Sequence, residues 1–231
     1  MVQVVHHHTS VVIIESQVKK EFLFSVYDNT YPKVLYRGRA NLIGGNASAK
    51  DSSPYGVLVR ELKEEFTILQ EEAIDDNLID ILGKNPGPQR VKKFASRRDI
   101  SLIKKGIIKN LSPFQDFLAK IPSLEGSPAF LAIYSVFLSR LPYNIFKCAK
   151  ENIEKGKGVK CEGYTVIASL DDLKSGKVLT AWGTSPIIGC YAKTTIPNPE
   201  GINAIPLGVP RKLFSDYSME FEYTASIKGQ T

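Results

Sequence analysis

The stretch Gly44–Ile68, GGNASAKDSSPYGVLVRELKEEFTI, decides the fold. Gly44-Gly45 opens a polar loop rich in Gly, Ser and Asp that closes near Pro54, and Pro54 is suited to the first turn of a helix. From there Leu58, Leu62, Phe66 and Leu69 recur at helical spacing, so a helix with one apolar stripe is expected to pack against a sheet. On the same wheel Glu61, Glu64 and Glu65 fall within about a quarter-turn beside that stripe. Three carboxylates on one edge repel one another, more so when water is excluded, so a neutralising partner is expected. Hard carboxylate oxygens suit Mg²⁺ or Mn²⁺, ions that commonly bind substrate phosphates as well. Arg60 lies beside Glu61 and one turn from Glu64, where its guanidinium can fix a carboxylate.

Upstream, Thr9–Glu15 (TSVVIIE) reads as a buried strand, Glu21–Tyr27 as a second and Lys33–Ile43 as a third, which suggests a mixed or antiparallel sheet. Downstream, Gly83–Gly126 turns basic and carries four prolines, so it is expected to be an insertion, with a short helix at Pro113–Lys120. Ala129–Leu138 (AFLAIYSVFL), bounded by Pro128 and Pro142, reads as a central strand. Tyr164–Ala168 is another strand, and Ser169–Leu173 a capped helical turn. Ile196–Pro210 is expected to be irregular, and Met219–Ile227 a last strand.

The chain has 231 residues, 43% hydrophobic and 23% charged, an ordinary globular mix that excludes a disordered or collagen-like chain. No run of about 18 apolar residues is present, so a membrane span is not expected. The start lacks a basic signal-peptide region. Cys148, Cys161 and Cys190 are odd in number and form no C-x-x-C pair, so reduced thiols and a cytoplasmic location are expected. The net charge of +6 is uneven: Lys84–Lys109 holds nine basic residues against Asp99 alone, leaving the remainder at −2. Such a block suits a nucleotide, RNA or another polyanion, and equally a solvated insertion.

The glycine loop after a strand, followed by Arg-Glu-Leu-x-Glu-Glu, resembles the box of the Nudix hydrolases. Arg60, Glu61, Leu62, Glu64, Glu65 and Ile68 match its second half in register. The resemblance implies one domain over 1–231 with the basic insertion at 83–126. Its fold class would be α+β, an α/β/α sandwich in which helices flank a mixed sheet. It also implies that Glu61, Glu64 and Glu65 hold Mg²⁺ or Mn²⁺ and that a nucleoside diphosphate linked to another moiety is hydrolysed. Glu162, within EGYTVIASLDDL, stands where some family members supply a further ligand or base. The chain departs from the pattern in three places. The loop from Gly45 to Arg60 is one residue longer, Asp51 or Ser52 stands where the pattern has Glu, and Thr67 replaces its last Gly.

Either Glu64 or Glu65 is a candidate base, with Gly44 and Gly45 candidates for substrate contact. Trp182, in a loop-like AWGTSP context, is a candidate for stacking on a base. His6 and His8 share one strand face without an identifiable third metal ligand. The absence of G-x-x-x-x-G-K-[ST], G-x-S-x-G and H-E-x-x-H disfavours a P-loop ATPase, a serine esterase and a zinc protease. Three functions remain: a metal-dependent diphosphate hydrolase, a non-catalytic nucleotide or RNA binder on the same fold, and an RNA-end processing enzyme fed by the basic block.

Overall fold

The computed structural model describes residues 4–5, 7–27, 31–66, 93–123, 128–159, 164–217 and 222–223. Its elements in chain order begin with β1 (Val4–Val5), β2 (His7–Ser16), β3 (Glu21–Val26), β4 (Ala40–Asn41) and β5 (Ile43–Asn46). Helix α1 (Pro54–Glu65), β6 (Lys93–Phe94), α2 (Arg97–Lys109), β7 (Leu111–Ile121) and β8 (Phe130–Leu141) follow. After them come α3 (Tyr143–Glu154), β9 (Lys157–Gly158), β10 (Tyr164–Ser169), α4 (Leu170–Lys174), α5 (Thr184–Ala192), β11 (Asn203–Gly208) and β12 (Glu222–Tyr223).

Eight strands form one mixed sheet in the order β10-β3-β2-β8-β7-β11, with β4 added to β3 and β5 to β2. The β-branched run of β2 explains its central place. Successive side chains alternate across a strand, so Val11 and Ile13 enter one core while Val12 and Ile14 enter the other. Strand β2 pairs with β8 in parallel, from His7↔Ala132 to Ser16↔Leu141, and every other pair in this sheet is antiparallel.

Helices cover both faces. Leu58, Leu62 and Phe66 of the α1 region, Ile103 and Ile107 of α2, and Phe146 and Ile153 of α3 fill one core. Leu173 of α4 and Ile187 and Ile188 of α5 join the other. The architecture is therefore the expected α+β sandwich. No described helix is long and apolar enough to cross a membrane. Cys148 and Cys190 are free thiols, while Cys161 lies outside the described residues.

Several local expectations change. The expected strand at Lys33–Ile43 is broken: Val34–Tyr36 is a 3₁₀ turn and Gly38 takes φ +75°, so pairing resumes only at β4 and β5. Gly44 and Gly45 lie inside β5 rather than opening the loop. The expected helix at Pro113–Lys120 is instead strand β7. Phe117, Ala119 and Ile121 alternate into the core, and Pro113 falls at a register shift, where the missing N–H is tolerated. Within 83–126, α2 and β7 belong to the common layers rather than to an appendage; 83–92 and 124–126 lie outside the described residues.

Ile196–Pro210 is not wholly irregular, because it supplies the edge strand β11, whose Ile205, Leu207 and neighbouring Val209 are exposed. Of the expected last strand only Glu222–Tyr223 is described, paired with Val4–Val5. The capped turn at Ser169 is present as a capping box with Asp172.

His8 on β2 is 2% exposed, and its Nε2 lies 2.8 Å from Ser135 Oγ. Ser135 Oγ donates to Asp116 Oδ1 at 2.7 Å, and Tyr217 OH donates to Asp116 Oδ2 at 2.8 Å. The rings of Phe214 and Tyr217 meet His8 edge-on, and the Arg211 guanidinium lies over Tyr217. Burial lowers the His8 pKa from 6.5 to about 3. The folded protein thus holds it neutral while the unfolded chain takes up a proton near 6.5, so stability is lost as pH falls from 6.5 towards 3. Burial raises the Asp116 carboxyl against the hydrogen bonds from Ser135 and Tyr217, and this contributes a slope of opposite sign. Comparing wild type with His8→Gln isolates the histidine. Below pH 6.5 the wild type is expected to lose up to about 1.4 kcal/mol more per pH unit than the variant. Parallel stability curves between pH 7 and 4.5 would show that His8 does not set the acid sensitivity.

Candidate functional site

The loop before α1 is shaped by its own short side chains. Ser53 caps the helix by accepting from the Gly56 N–H at 3.1 Å, and Pro54 occupies the first turn. Asp51 Oδ2 accepts from both the N–H and the hydroxyl of Ser48, each at 2.8 Å. That turn aims the Asp51 carboxylate at Arg60.

Arg60 is the hub of the site. Its Nη2 donates to Asp51 Oδ2 at 2.9 Å and Nε donates to Oδ1 at 3.3 Å, a two-pronged contact. Nη2 also donates to the Asn46 carbonyl at 3.0 Å. Nη1 lies between two helix carboxylates, 2.6 Å from Glu61 Oε1 and 3.3 Å from Glu64 Oε2. Burial alone would raise the Asp51 carboxyl, but donation by Arg60 and Ser48 outweighs it and holds the group below the usual range. Glu61 goes the other way: burial raises it, with Glu64 and Asp51 adding repulsion, and Arg60 only partly offsets this. The hydrogen bond to Asp51, reinforced by Glu61, raises Arg60 further.

The two glycines are explained by close approach. Gly44 has φ +145°, and a Cβ there would stand 2.0 Å from the Ser10 carbonyl of β2. A Cβ on Gly45 would stand 2.3 Å from Glu61 Cδ. The Glu61 carboxylate therefore rests against the bare backbone of β5.

Of the residues expected at the site, Gly45, Arg60, Glu61 and Glu64 are brought together, with Gly44 next in strand. Glu65 follows on the same helix and is half-buried, and Glu162 lies outside the described residues. Asp51, from the loop before the helix, supplies the two-pronged acceptor for Arg60. His6 is outside the described residues, and His8 is tied into the network with Ser135.

Among the described residues no three His, Cys, Asp or Glu side chains are gathered into a metal-ready set. The donor chemistry nonetheless fits a hard divalent cation. The offered groups are carboxylate oxygens, and the Arg60 nitrogen already places positive charge between Glu61 and Glu64. Glu61 and Glu64, with Glu65 the next carboxylate along the helix, are the groups that would hold such a cation.

On the sheet face opposite α1, a cleft of about 500 Å³ begins at Gly44, Gly45 and Asn46. Its walls include Tyr27, Tyr31, Lys33, Phe130, Tyr134 and Trp182. Tyr27 and Tyr31 stack at 3.9 Å, Trp182 stacks on Tyr36 at 4.3 Å, and Trp182 Nε1 donates to Tyr31 OH at 3.2 Å. Lys33 Nζ lies 5.1 Å from the Trp182 ring centre. Trp182 has φ +53°, and the turn is pinned by the buried Glu200, which accepts from the N–H groups of Trp182 (3.2 Å) and Gly183 (3.4 Å). The loop-like context of Trp182 was visible in sequence, whereas Tyr31, Lys33 and Glu200 carried no local signal.

The contact between Gly45 and Glu61 is testable by a double-mutant cycle. Gly45→Ala is expected to cost about 1–3 kcal/mol in chemical denaturation, and most of that cost should vanish in a Glu61→Ala background. An undiminished cost would mean that the carboxylate does not depend on the missing side chain. No protein-family model matches the chain, and neither does any curated protein.

Proposed function

We propose that the chain is a divalent-metal-dependent hydrolase of Nudix type, cleaving a nucleoside diphosphate linked to another moiety. The observation that carries this reading is the joint of Gly45, Arg60 and Glu61, with a carboxylate-bearing helix on one side and an aromatic cleft opening on the other. Glu61, Glu64 and Glu65 are the residues that would hold Mg²⁺ or Mn²⁺. Such an ion, when bound, neutralises phosphate charge and acidifies a water. Arg60 keeps Glu61 and Glu64 in register on the helix edge and ties the loop to the helix through Asp51. Tyr31 and Trp182 give the cleft an aromatic wall for a planar base to pack against, and Lys33 offers positive charge to a phosphate. In the hydrolytic step water forms a new bond to phosphorus while the bridging P–O bond breaks. Glu64 or Glu65, instead of holding the ion, accepts the proton released by the water, and the departing phosphate keeps the electron pair of the broken bond.

Purified protein incubated with Mg²⁺ or Mn²⁺ and a panel of nucleotide sugars, dinucleotides and nucleoside triphosphates is expected to release phosphate-containing products. Glu64 is exposed, so Glu64→Gln should leave the melting temperature nearly unchanged while lowering kcat by about 10²–10⁴-fold. Lack of turnover across the panel with either ion would count against hydrolysis.

A second reading, polyanion binding without catalysis, is favoured by α2. Arg97, Arg98, Lys104, Lys105 and Lys109 lie on its outward arc, and none makes an ion pair with a described residue. Such a face would bind single-stranded RNA with affinity that falls steeply with salt. Arg98→Glu with Lys105→Glu should flatten that dependence, and an unchanged salt slope would remove α2 from the interface.

A further inference from the structure

At the far end of β2 from the aromatic cleft lies a second cleft of about 520 Å³, within the range of small-molecule sites. Thr9 and Val11 line the first cleft, whereas Glu15 and Ser16 line the second. From Val11, the nearest lining residue of the first cleft, to Glu15 is four residues of strand, roughly 13 Å. Ile13, fully buried, stands between them, and no residue lines both clefts.

The second cleft is built around an internal ion pair. Glu15, 8% exposed, accepts from Arg140 Nε at 2.6 Å and from the Tyr191 hydroxyl. Arg140 Nη2 donates to the same hydroxyl at 3.2 Å. With Glu15 balanced by Arg140, the positive charge of Lys19, Lys20 and Lys193 on the walls is in excess. None of these three lysines makes an ion pair with a described residue, and all three are exposed.

Their backbone is held in place. Ser16 Oγ accepts from the N–H groups of Val18 at 3.3 Å and Lys19 at 3.4 Å, fixing the turn between β2 and β3. Lys193 ends α5 with φ +52°, a left-handed position where glycine would be free of strain. The Lys193 N–H is tied to the Cys190 and Gly189 carbonyls, which fixes where the lysine leaves the end of α5.

We propose that this cleft is an anion site for a compact phosphate chain of the di- or triphosphate class, separate from the carboxylate helix. Three lysines match the charge of such a chain, and the cleft of about 520 Å³ admits it. The site does not depend on the hydrolase reading, because none of its residues belongs to α1 or the aromatic cleft.

The test is titration calorimetry of the full chain with inorganic tripolyphosphate, without divalent metal, at low and moderate salt. One saturable site per chain is expected, weakened by salt. Lys19→Glu and Lys193→Glu should each weaken it by about tenfold or more, with little change in melting temperature because both side chains are exposed. Lys155→Glu, an exposed charge reversal at the end of α3 away from every cleft described above, should leave it unchanged. Absence of saturable binding would overturn the proposal. So would binding indifferent to Lys19 and Lys193, or loss caused equally by Lys155→Glu.

Discussion

One approach organises this molecule: the Glu61 carboxylate lies against the bare backbone of Gly45. Helix α1 can come that near to β5 only where a side chain is missing, and β5 is itself clamped to β2 through Gly44 at Ser10. A charged group so close to backbone and half out of water needs a counter-charge, and Arg60 supplies it. The same guanidinium then gathers Asp51 and the Asn46 carbonyl, so the end of a strand, a loop and a helix converge on one cation. The α1 stripe of Leu58 and Leu62, both fully buried, supplies the hydrophobic force that keeps the helix in position while these polar contacts set its register.

The central strand distributes function along its length. Because β2 is buried on both faces and paired in parallel with β8 over ten residues, its ends open at opposite rims of the sheet. One rim carries aromatic walls on the sheet face opposite the carboxylate helix, and the other carries lysines around a neutralised glutamate. A rigid strand thus holds two chemically different clefts at a fixed separation.

Much of this was legible in the sequence, and the failures have physical causes. The helix from Pro54 was plain because Leu58, Leu62 and Phe66 keep helical period and Ser53 is a good cap. The central strands were plain because β-branched and aromatic runs exceed any helical pattern. Lys33–Ile43 misled because the turn at Gly38 and the burial of Tyr36 beneath Trp182 are tertiary events. Pro113 looked like a helix start, yet it marks a bulge in a strand whose partner lies across the sheet. At the site, Arg60, Glu61 and Glu64 followed from helical spacing alone. The part played by Asp51 emerges only through a serine turn that no periodicity reveals. Tyr31 and Trp182 meet across 151 positions of chain, beyond any local pattern.

The outer strand β11 carries exposed Ile205 and Leu207 at the margin of the sheet, a composition that invites another polypeptide to add itself there. Pro206 stands between them and has no amide hydrogen to offer, and the register slips immediately after it at Gly208. An incoming strand would find a gap in the ladder and a twist it cannot follow. The imino acid thereby acts as a built-in guard against runaway self-association, letting the margin stay greasy without becoming adhesive.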